Sequence, residues 1–325
     1  MKKVWGFGTA TIDFRIQTAD YGDAYKEKLT AQKAYQFGGG SVANFLTQVA
    51  RLGAPAGWLG KLGDDILGRQ ITRLMTEEGI DCGHALYDPE QCSPFNLAVY
   101  CGPEMRRRCG FLIPNSLATL DEAEICTLAS AISPGDYAMI EIGEIPLGLV
   151  VEFMHQAKAA GATLVVDVDL DPVKQCGGTG EQIDAFCRMG DVLMPNAAAM
   201  ESVYPDMDVE RIAMTMHEAY KKPVILSHGG NGAFFADDGR LMHKEAYRLG
   251  EISDTVGAGD AFHGGVVFAL ASGAGLEEAV GMGNVCGAMN CLTFGARNGM
   301  PTLEQADKYK EMYKHEHRNP VDSRP

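Results

Sequence analysis

Apolar and polar positions along this chain switch repeatedly between two periods. VWGFGTA, residues 4 to 10, is a short apolar run of the kind a buried strand makes. SVANFLTQVARLGA spaces its apolar residues three and four apart, which predicts a helix ended by Gly53. AGWLGKLG reads as a strand and DDILGRQITRLMTEEGI as the next helix. The rhythm returns at DYAMIEI (strand), LGLVVEFMHQAKAAG (helix ended by Gly161), ATLVVDVD, DVLMPN and PVILSHGG, followed by two long helical stretches toward the C-terminus. Strands that are apolar throughout are covered on both faces. The pattern therefore predicts an α/β fold in three layers, with an open, mainly parallel central sheet between helices.

Two segments interrupt the rhythm, residues 14 to 37 and residues 92 to 113. The second reads CSPFNLAVYCGPEMRRRCGFLI, with a hairpin turn near Gly102-Pro103. Both look like short strands inserted into the core, where lids over binding sites are built, so they predict a small β lid within one domain spanning 1 to 325. From about His315 the chain is polar and punctuated by proline, the composition of a frayed end.

Composition narrows the function. In 325 residues, 28 Lys and Arg stand against 43 Asp and Glu, a formal net charge of −15. That field repels phosphate backbones and anionic lipid surfaces, which argues against nucleic acid and membrane partners while allowing a small local anion site. Nine cysteines without a Cys-x-x-Cys pair argue against a disulfide framework or zinc knuckle and fit a reducing cytoplasm. The opening Met1-Lys2-Lys3 imitates a signal peptide, but its apolar run holds Gly6, Gly8, Thr9 and Thr11 and reaches Asp13 without a cleavage site. No apolar stretch approaches the length of a membrane span. Gly6-x-Gly8 lacks the third glycine of a dinucleotide fingerprint. Neither Cys286 with Cys291 nor His315 with His317 reads as a metal pair.

The strongest chemical signal is Asp254-Thr255-Val256-Gly257-Ala258-Gly259-Asp260, which runs into the helical stretch AFHGGVVFALASG. Small residues at a helix start let backbone N–H groups converge on an anion, and the helix dipole adds to the attraction. A carboxylate at the mouth of such a cradle is badly placed to bind phosphate but well placed to take a proton from an attacking hydroxyl, which makes Asp260 a candidate general base. A bare Gly-x-Gly-Asp would otherwise be a glycine-rich turn with a first-turn acid; the full string favours the cradle. A second cluster, Phe37-Gly38-Gly39-Gly40-Ser41-Val42-Ala43-Asn44, also opens a helix. Glycines admit a ligand to the main chain, and an amide at Asn44 both donates and accepts, as sugar hydroxyls require; taken alone, this string is equally an ordinary helix start with Asn44 facing solvent.

Together, GGGSVAN with the following RLGAPAGWLGKLGDDILG, and DTVGAGDAFHGG, resemble the two signatures of the PfkB, or ribokinase-like, carbohydrate kinase family, in the family's order over nearly the whole chain. The resemblance implies a ribokinase-like, Rossmann-type core with a small β lid, and transfer of a phosphoryl group from Mg-ATP to a sugar hydroxyl. It implies an anion cradle at Gly257, Ala258 and Gly259 with Asp260 as base, and sugar contacts from Asp13, Gly39, Gly40, Ser41, Asn44 and Glu144. It implies a nucleotide pocket at Asn196, Ser227, Gly229, Gly230, Asn231, Gly232 and Asn284. It also implies a monovalent cation site, K+ in many relatives, at Asp254, the Val256 carbonyl and Gly295. Asp64, in GDD, resembles the family's helix start and reads as a cap.

One departure concerns Mg2+. The family's Asn-x-x-Glu before a helix is here Asn196 followed by Ala199, and Glu201, two residues on, would point about 200° away on an intact helix. Arg106, Arg107 and Arg108 in the lid hairpin match an anionic substrate group but also a charged strand edge, and Glu144 would repel an anion. The resulting expectation is a neutral hexose or pentose as substrate. A nucleoside kinase, an acidic-sugar kinase and a catalytically weak ligand sensor are the alternatives, and the lid implies a homodimer as in relatives.

Overall fold

The computed structural model describes residues 1–19, 28, 30–101, 107–113, 116–143, 145–168, 171–174, 177–200 and 202–318. Its strands, in chain order, are β1 (Val4–Phe7), β2 (Thr11–Thr18), β3 (Lys33–Gly39), β4 (Ala56–Leu59), β5 (Lys61–Gly63), β6 (Ile80–Asp81), β7 (Leu86–Asp88) and β8 (Phe95–Cys101). They continue with β9 (Arg107–Leu112), β10 (Tyr137–Ile142), β11 (Thr163–Val168), β12 (Val192–Pro195), β13 (Val224–Ser227), β14 (Ala233–Asp237) and β15 (Arg240–Lys244). The helices are α1 (Ser41–Arg51), α2 (Ile66–Glu77), α3 (Glu122–Ala129), α4 (Leu147–Ala159), α5 (Gly180–Met189), α6 (Val209–Tyr220), α7 (Ala258–Ala271), α8 (Leu276–Asn290) and α9 (Leu303–Arg318).

Nine strands form the central sheet in the order β15-β14-β13-β12-β11-β10-β1-β4-β6, parallel except at β14 and β15. Alternate residues of each strand feed two separate cores. Met139 and Val165 join the side covered by α1, α7 and α8, whereas Ile140 and Val166 join the side covered by α3 to α6. A separate four-stranded sheet, β3-β2-β8-β9, is the lid, and β5 pairs with β7. The expected three-layer α/β core with a lid is thus the observed architecture.

Several boundaries differ from the periodicity. AGWLGKLG divides into β4 and β5, and the first lid strand starts at Thr11, before residue 14. Three helices rather than two end the chain. The elements α3 and α5 carry Asp121-x-x-Glu124 and Thr179-x-x-Gln182 capping boxes, signals present in the sequence. The β14–β15 hairpin turns at Asp238-Gly239, both at positive φ (47° and 72°), as Asp-Gly hairpins do. Ala197 to Met200 form hydrogen-bonded turns and no α-helix, so the helical argument about Glu201 loses its premise. Glu201 itself, like Glu144 and Arg106, lies outside the described residues.

Candidate active site

The carboxyl ends of β1 and β10, the lid strands β2 and β8, and the N-termini of α1 and α7 surround one cleft of about 720 Å³. Asp13, from the stretch after the first strand, and Gly40, Ser41, Asn44, Val256, Gly257, Gly259 and Asp260, from the two glycine-rich motifs, all line it. Gly143 lines it as well, next to the undescribed Glu144.

Asp13 comes from β2, whose residues alternate faces. Its Oδ1 accepts hydrogen bonds from Thr11 Oγ1 (3.1 Å) and from Asn96 Nδ2 (2.9 Å), and Asn96 is its direct register partner on β8. Gly39, across on β3, backs this carboxylate so closely that a Cβ there would stand 2.2 Å from Asp13 Oδ1. Any other residue would push the acid out of place. Asn96 was not singled out in the sequence; only its pairing partner shows what it does.

Asn44 sits in the first turn of α1 and is almost wholly buried. Its Oδ1 accepts from Arg297 Nε at 2.6 Å, and its Nδ2 donates to Asp260 Oδ2 at 2.7 Å. A guanidinium has only donors, so it fixes which way the amide faces. Asn44 therefore offers the cleft a donor alone, not the donor and acceptor expected from its residue type. Arg297 also donates from Nη2 to the Gly39 carbonyl (2.6 Å), joining both halves of the glycine cluster. Burial lowers its pKa to about 10 against the opposing pull of Asp13, Glu78 and Asp260.

The cradle begins at Gly257, the N-cap of α7, with φ of 79°. A Cβ at Gly257 would meet the Ala296 carbonyl oxygen at 2.1 Å, so glycine is required twice over, by conformation and by space. Beyond Gly259 a Cβ would meet nothing within 4 Å, leaving open room before the helix N-terminus for an anion. The Ala258 N–H turns back to the Thr255 carbonyl (3.2 Å), so of the three nominated amides it is the one committed within the loop.

Asp254, Val256 and Gly295 also come together: Asp254 accepts from the Val256 N–H (3.1 Å) and the Gly295 N–H (3.0 Å). A third donor, unforeseen from the motif, is Arg15 Nη1 at 2.5 Å from Asp254 Oδ2.

Of the positions expected to contact the nucleotide, Ser227 ends β13 and bridges to Asn196 after β12. The Asn196 Oδ1 caps the Ala199 N–H (2.7 Å), and the Ala199 side chain is buried in the α3–α6 core. Gly229–Asn231 make a 3-10 turn closed by Gly232, whose carbonyl accepts from the His228 N–H at 2.8 Å. Gly230 and Asn231 border a second cleft of about 630 Å³, walled by His228, Phe234, His243 and Arg248. The Asn284 amide donates to the carbonyls of Lys244 and Glu245 (3.1 and 3.0 Å), so it holds the chain after β15 and lines neither cleft. Near α2 the cap is Asp65, which accepts from the Gly68 N–H (2.7 Å). Asp64, the residue expected to cap, instead pairs with Arg69 at the surface (2.7 Å).

Beneath the cleft lie Glu141 at the end of β10, Asp167 on β11 and His263 on α7, all buried; His263 falls within DTVGAGDAFHGG, and the other two fall in no motif. His263 Nδ1 is 2.9 Å from Asp167 Oδ2. Burial pushes Glu141 up to about 8, its bond from the Thr9 N–H (3.0 Å) opposing this and the charges of Asp167 and Asp260 adding to it. The folded protein thus holds a proton that the unfolded chain releases near 4.5. That contribution to stability is complete below the unfolded value and is lost as pH rises through the folded one, at up to about 1.4 kcal/mol per pH unit. Melting temperatures measured from pH 5 to 9 should fall less steeply for Glu141→Gln than for the wild type; parallel curves would contradict the raised pKa.

A mainly parallel core, a separate lid sheet and one cleft where the two glycine-rich helix starts meet accord with a carbohydrate kinase. Residues 1–303 match the pfkB family of carbohydrate kinases, and the chain belongs to that family. It is 28% identical over 327 residues to fructokinase-1 of Oryza sativa subsp. japonica, covering 95% of this chain and 97% of that protein. It is 27% identical over 279 residues to the 2-dehydro-3-deoxygluconokinase of Bacillus subtilis (82% and 84% covered). The ribokinase of Thermotoga maritima shares its fold with a TM-score of 0.82 at 21% identity, over 96% of this chain and all of that one. A Vibrio cholerae fructokinase variant, solved with fructose, ADP and potassium ion, superposes with a TM-score of 0.75 at 21% identity, over 95% of this chain and 98% of that one.

Proposed function

We propose that this kinase phosphorylates a hydroxyl of a small neutral sugar, a hexose or pentose, with ATP as donor and Asp260 as general base. The observation that carries the reading is the 2.7 Å contact between Asn44 Nδ2 and Asp260 Oδ2, which joins the sugar cluster to the cradle in one cleft. In this reading Asp13 and Asn96 orient sugar hydroxyls, Asn44 donates to one of them, and Asp260 takes the proton of the attacking oxygen. The first-turn amides of α7 face the transferred phosphoryl, and the open space before Gly259 fits that group. ATP supplies the phosphoryl when bound; the Gly229–Gly232 turn, Ser227 and Asn196 are its candidate contacts.

The site's fit to a protein-held Mg2+ is poor. Ala199 offers no carboxylate, and among the described residues no three His, Cys, Asp or Glu side chains gather to hold a metal. Among the described residues, none therefore forms a side-chain cluster that would hold Mg2+, and no step here depends on it.

Charge favours a neutral acceptor over an acidic one. Among the described residues, Asp13 and Asp260 face the cleft, while the charges of Arg15 and Arg297 are engaged, the first by Asp254 and the second behind Asn44. The test is ADP release with Mg-ATP against a panel of neutral sugars, sugar acids and nucleosides. Turnover of a neutral hexose or pentose is expected. Turnover confined to 2-keto sugar acids or to nucleosides would move the assignment within the family. Ligand-induced thermal stabilisation without product would mark a silent sensor. A cytoplasmic location, inferred from the cysteine pattern, and a homodimer through the lid belong to the same reading. Lid strand β9 exposes Phe111, and a monomeric mass in solution would remove the dimer.

A further inference from the structure

The three positions nominated for a monovalent cation, Asp254, the Val256 carbonyl and Gly295, are present and adjacent, yet the Asp254 carboxylate and the Val256 carbonyl are already engaged. Of the roughly four acceptor positions of the Asp254 carboxylate, Oδ1 takes the Val256 N–H, and Oδ2 takes both the Gly295 N–H and the Arg15 guanidinium. The Val256 carbonyl accepts from Asn290 Nδ2 at 3.2 Å, and the same amide nitrogen donates to the neighbouring Ala296 carbonyl at 3.0 Å. Asn290 is fully buried at the end of α8. A cation at such a place would do two things: neutralise a buried carboxylate and draw carbonyls together. Here a guanidinium does the first and a side-chain amide the second.

Arg15 is built in rather than passing through. Only 4% of its side chain is exposed, and its guanidinium carbon lies 5.5 Å from the centre of the Phe37 ring and 5.2 Å from that of Phe294. Aromatic faces on two sides and a carboxylate at its tip suit a fixed positive charge. One carboxylate balances one charge. A second cation beside Asp254 would sit next to the Arg15 guanidinium in a largely buried site, a strongly repulsive arrangement.

We propose that Arg15 and Asn290 take the place of the monovalent cation, so that the Asp254–Asp260 cradle holds its shape without K+. The inference deepens the kinase reading, but its test needs no substrate. Melting temperatures of the unliganded protein are compared in KCl, NaCl and choline chloride at equal ionic strength, and thallium(I) NMR probes direct binding of a K+ mimic. For the wild type, equal melting temperatures in the three salts and no K+-displaceable thallium signal are expected. A K+-specific rise or a displaceable signal would overturn the proposal.

The double variant Arg15→Ala/Asn290→Ala removes the positive charge from the carboxylate and frees the Val256 and Ala296 carbonyls, and should melt lower in choline chloride with part of the loss restored by KCl alone. If it folds but is as indifferent to K+ as the wild type, these groups do not stand where a cation would, and the proposal fails. Asn290→Ala alone, which keeps the Arg15 charge, should remain indifferent to K+; a K+ response in it would assign the cation's role to the carbonyls rather than to Arg15 and overturn the account. Should the sugar panel give no product, the melting and thallium results still stand, so failure of the kinase reading is separable from failure of this one.

Discussion

Asp260→Asn is expected to lower kcat by about 10²–10⁴, the range that loss of a positioned general base produces, with little change in sugar affinity. The substitution keeps size and shape, and its side-chain oxygen still accepts from Asn44 Nδ2, now 2.7 Å from Asp260 Oδ2. What it removes is the capacity to take a proton. Steady-state kinetics on the acceptor found in the panel, with sugar-induced thermal stabilisation measured alongside, separate the two effects. Turnover within a factor of about ten of wild type would be too small a loss for a base and would move the proton elsewhere, Glu141, whose charge couples to that of Asp260, being a candidate.

Arg297→Met should be the most damaging change to stability among the site's supporting residues. The guanidinium is buried and serves two acceptors, Asn44 Oδ1 and the Gly39 carbonyl, both at 2.6 Å. Methionine fills comparable volume but leaves both acceptors without a donor, at about 1–3 kcal/mol each. It also removes the positive charge opposite Asp13 and Asp260. Without Arg297 the Asn44 amide can turn its oxygen toward Asp260, where it repels the carboxylate, so activity should fall with stability. A double-mutant cycle with Asn44→Ala reads this directly: strong coupling is expected in both melting temperature and kcat/KM. Additive effects, or a variant as stable as wild type, would show that Arg297 does not position Asn44.

Much of this was legible in the residues. The βα rhythm, the lid insertions and the two glycine clusters carried the architecture, and eight nominated residues line one cleft. What was not legible depends on pairs far apart in the chain. Arg15 meets Asp254 across 239 positions, and Arg297 meets Asn44 across 253. Nothing near Asp254 in the motif says that its oxygens are already engaged.

The lid strand hid Arg15 for a second reason. In TIDFRIQT the polar residues Thr11, Asp13 and Arg15 are buried, while Phe14 and Ile16 are only half covered. Ile12 packs into the core on the other face, so both faces are covered at this end of the strand and burial of the polar face could not be inferred from hydropathy. Asp65 displaced Asp64 as cap because spacing alone does not tell adjacent acids apart; the Gly68 and Ser93 amides do. The helix assumed after Asn196 was a borrowed context, and hydrogen-bonded turns stand there instead.

The spacing of Asp13 and Arg15 on β2 makes that strand a ruler with two marks. Being two residues apart on an extended chain, both point inward in the same phase, one toward the sugar cluster and the other toward the cradle loop. Insertion or deletion of a single residue within the paired strand itself, between Thr11 and Asp13, would turn both outward at once. Any lengthening inside this stretch of the strand in a descendant of the chain must therefore come in pairs, or be absorbed by a bulge.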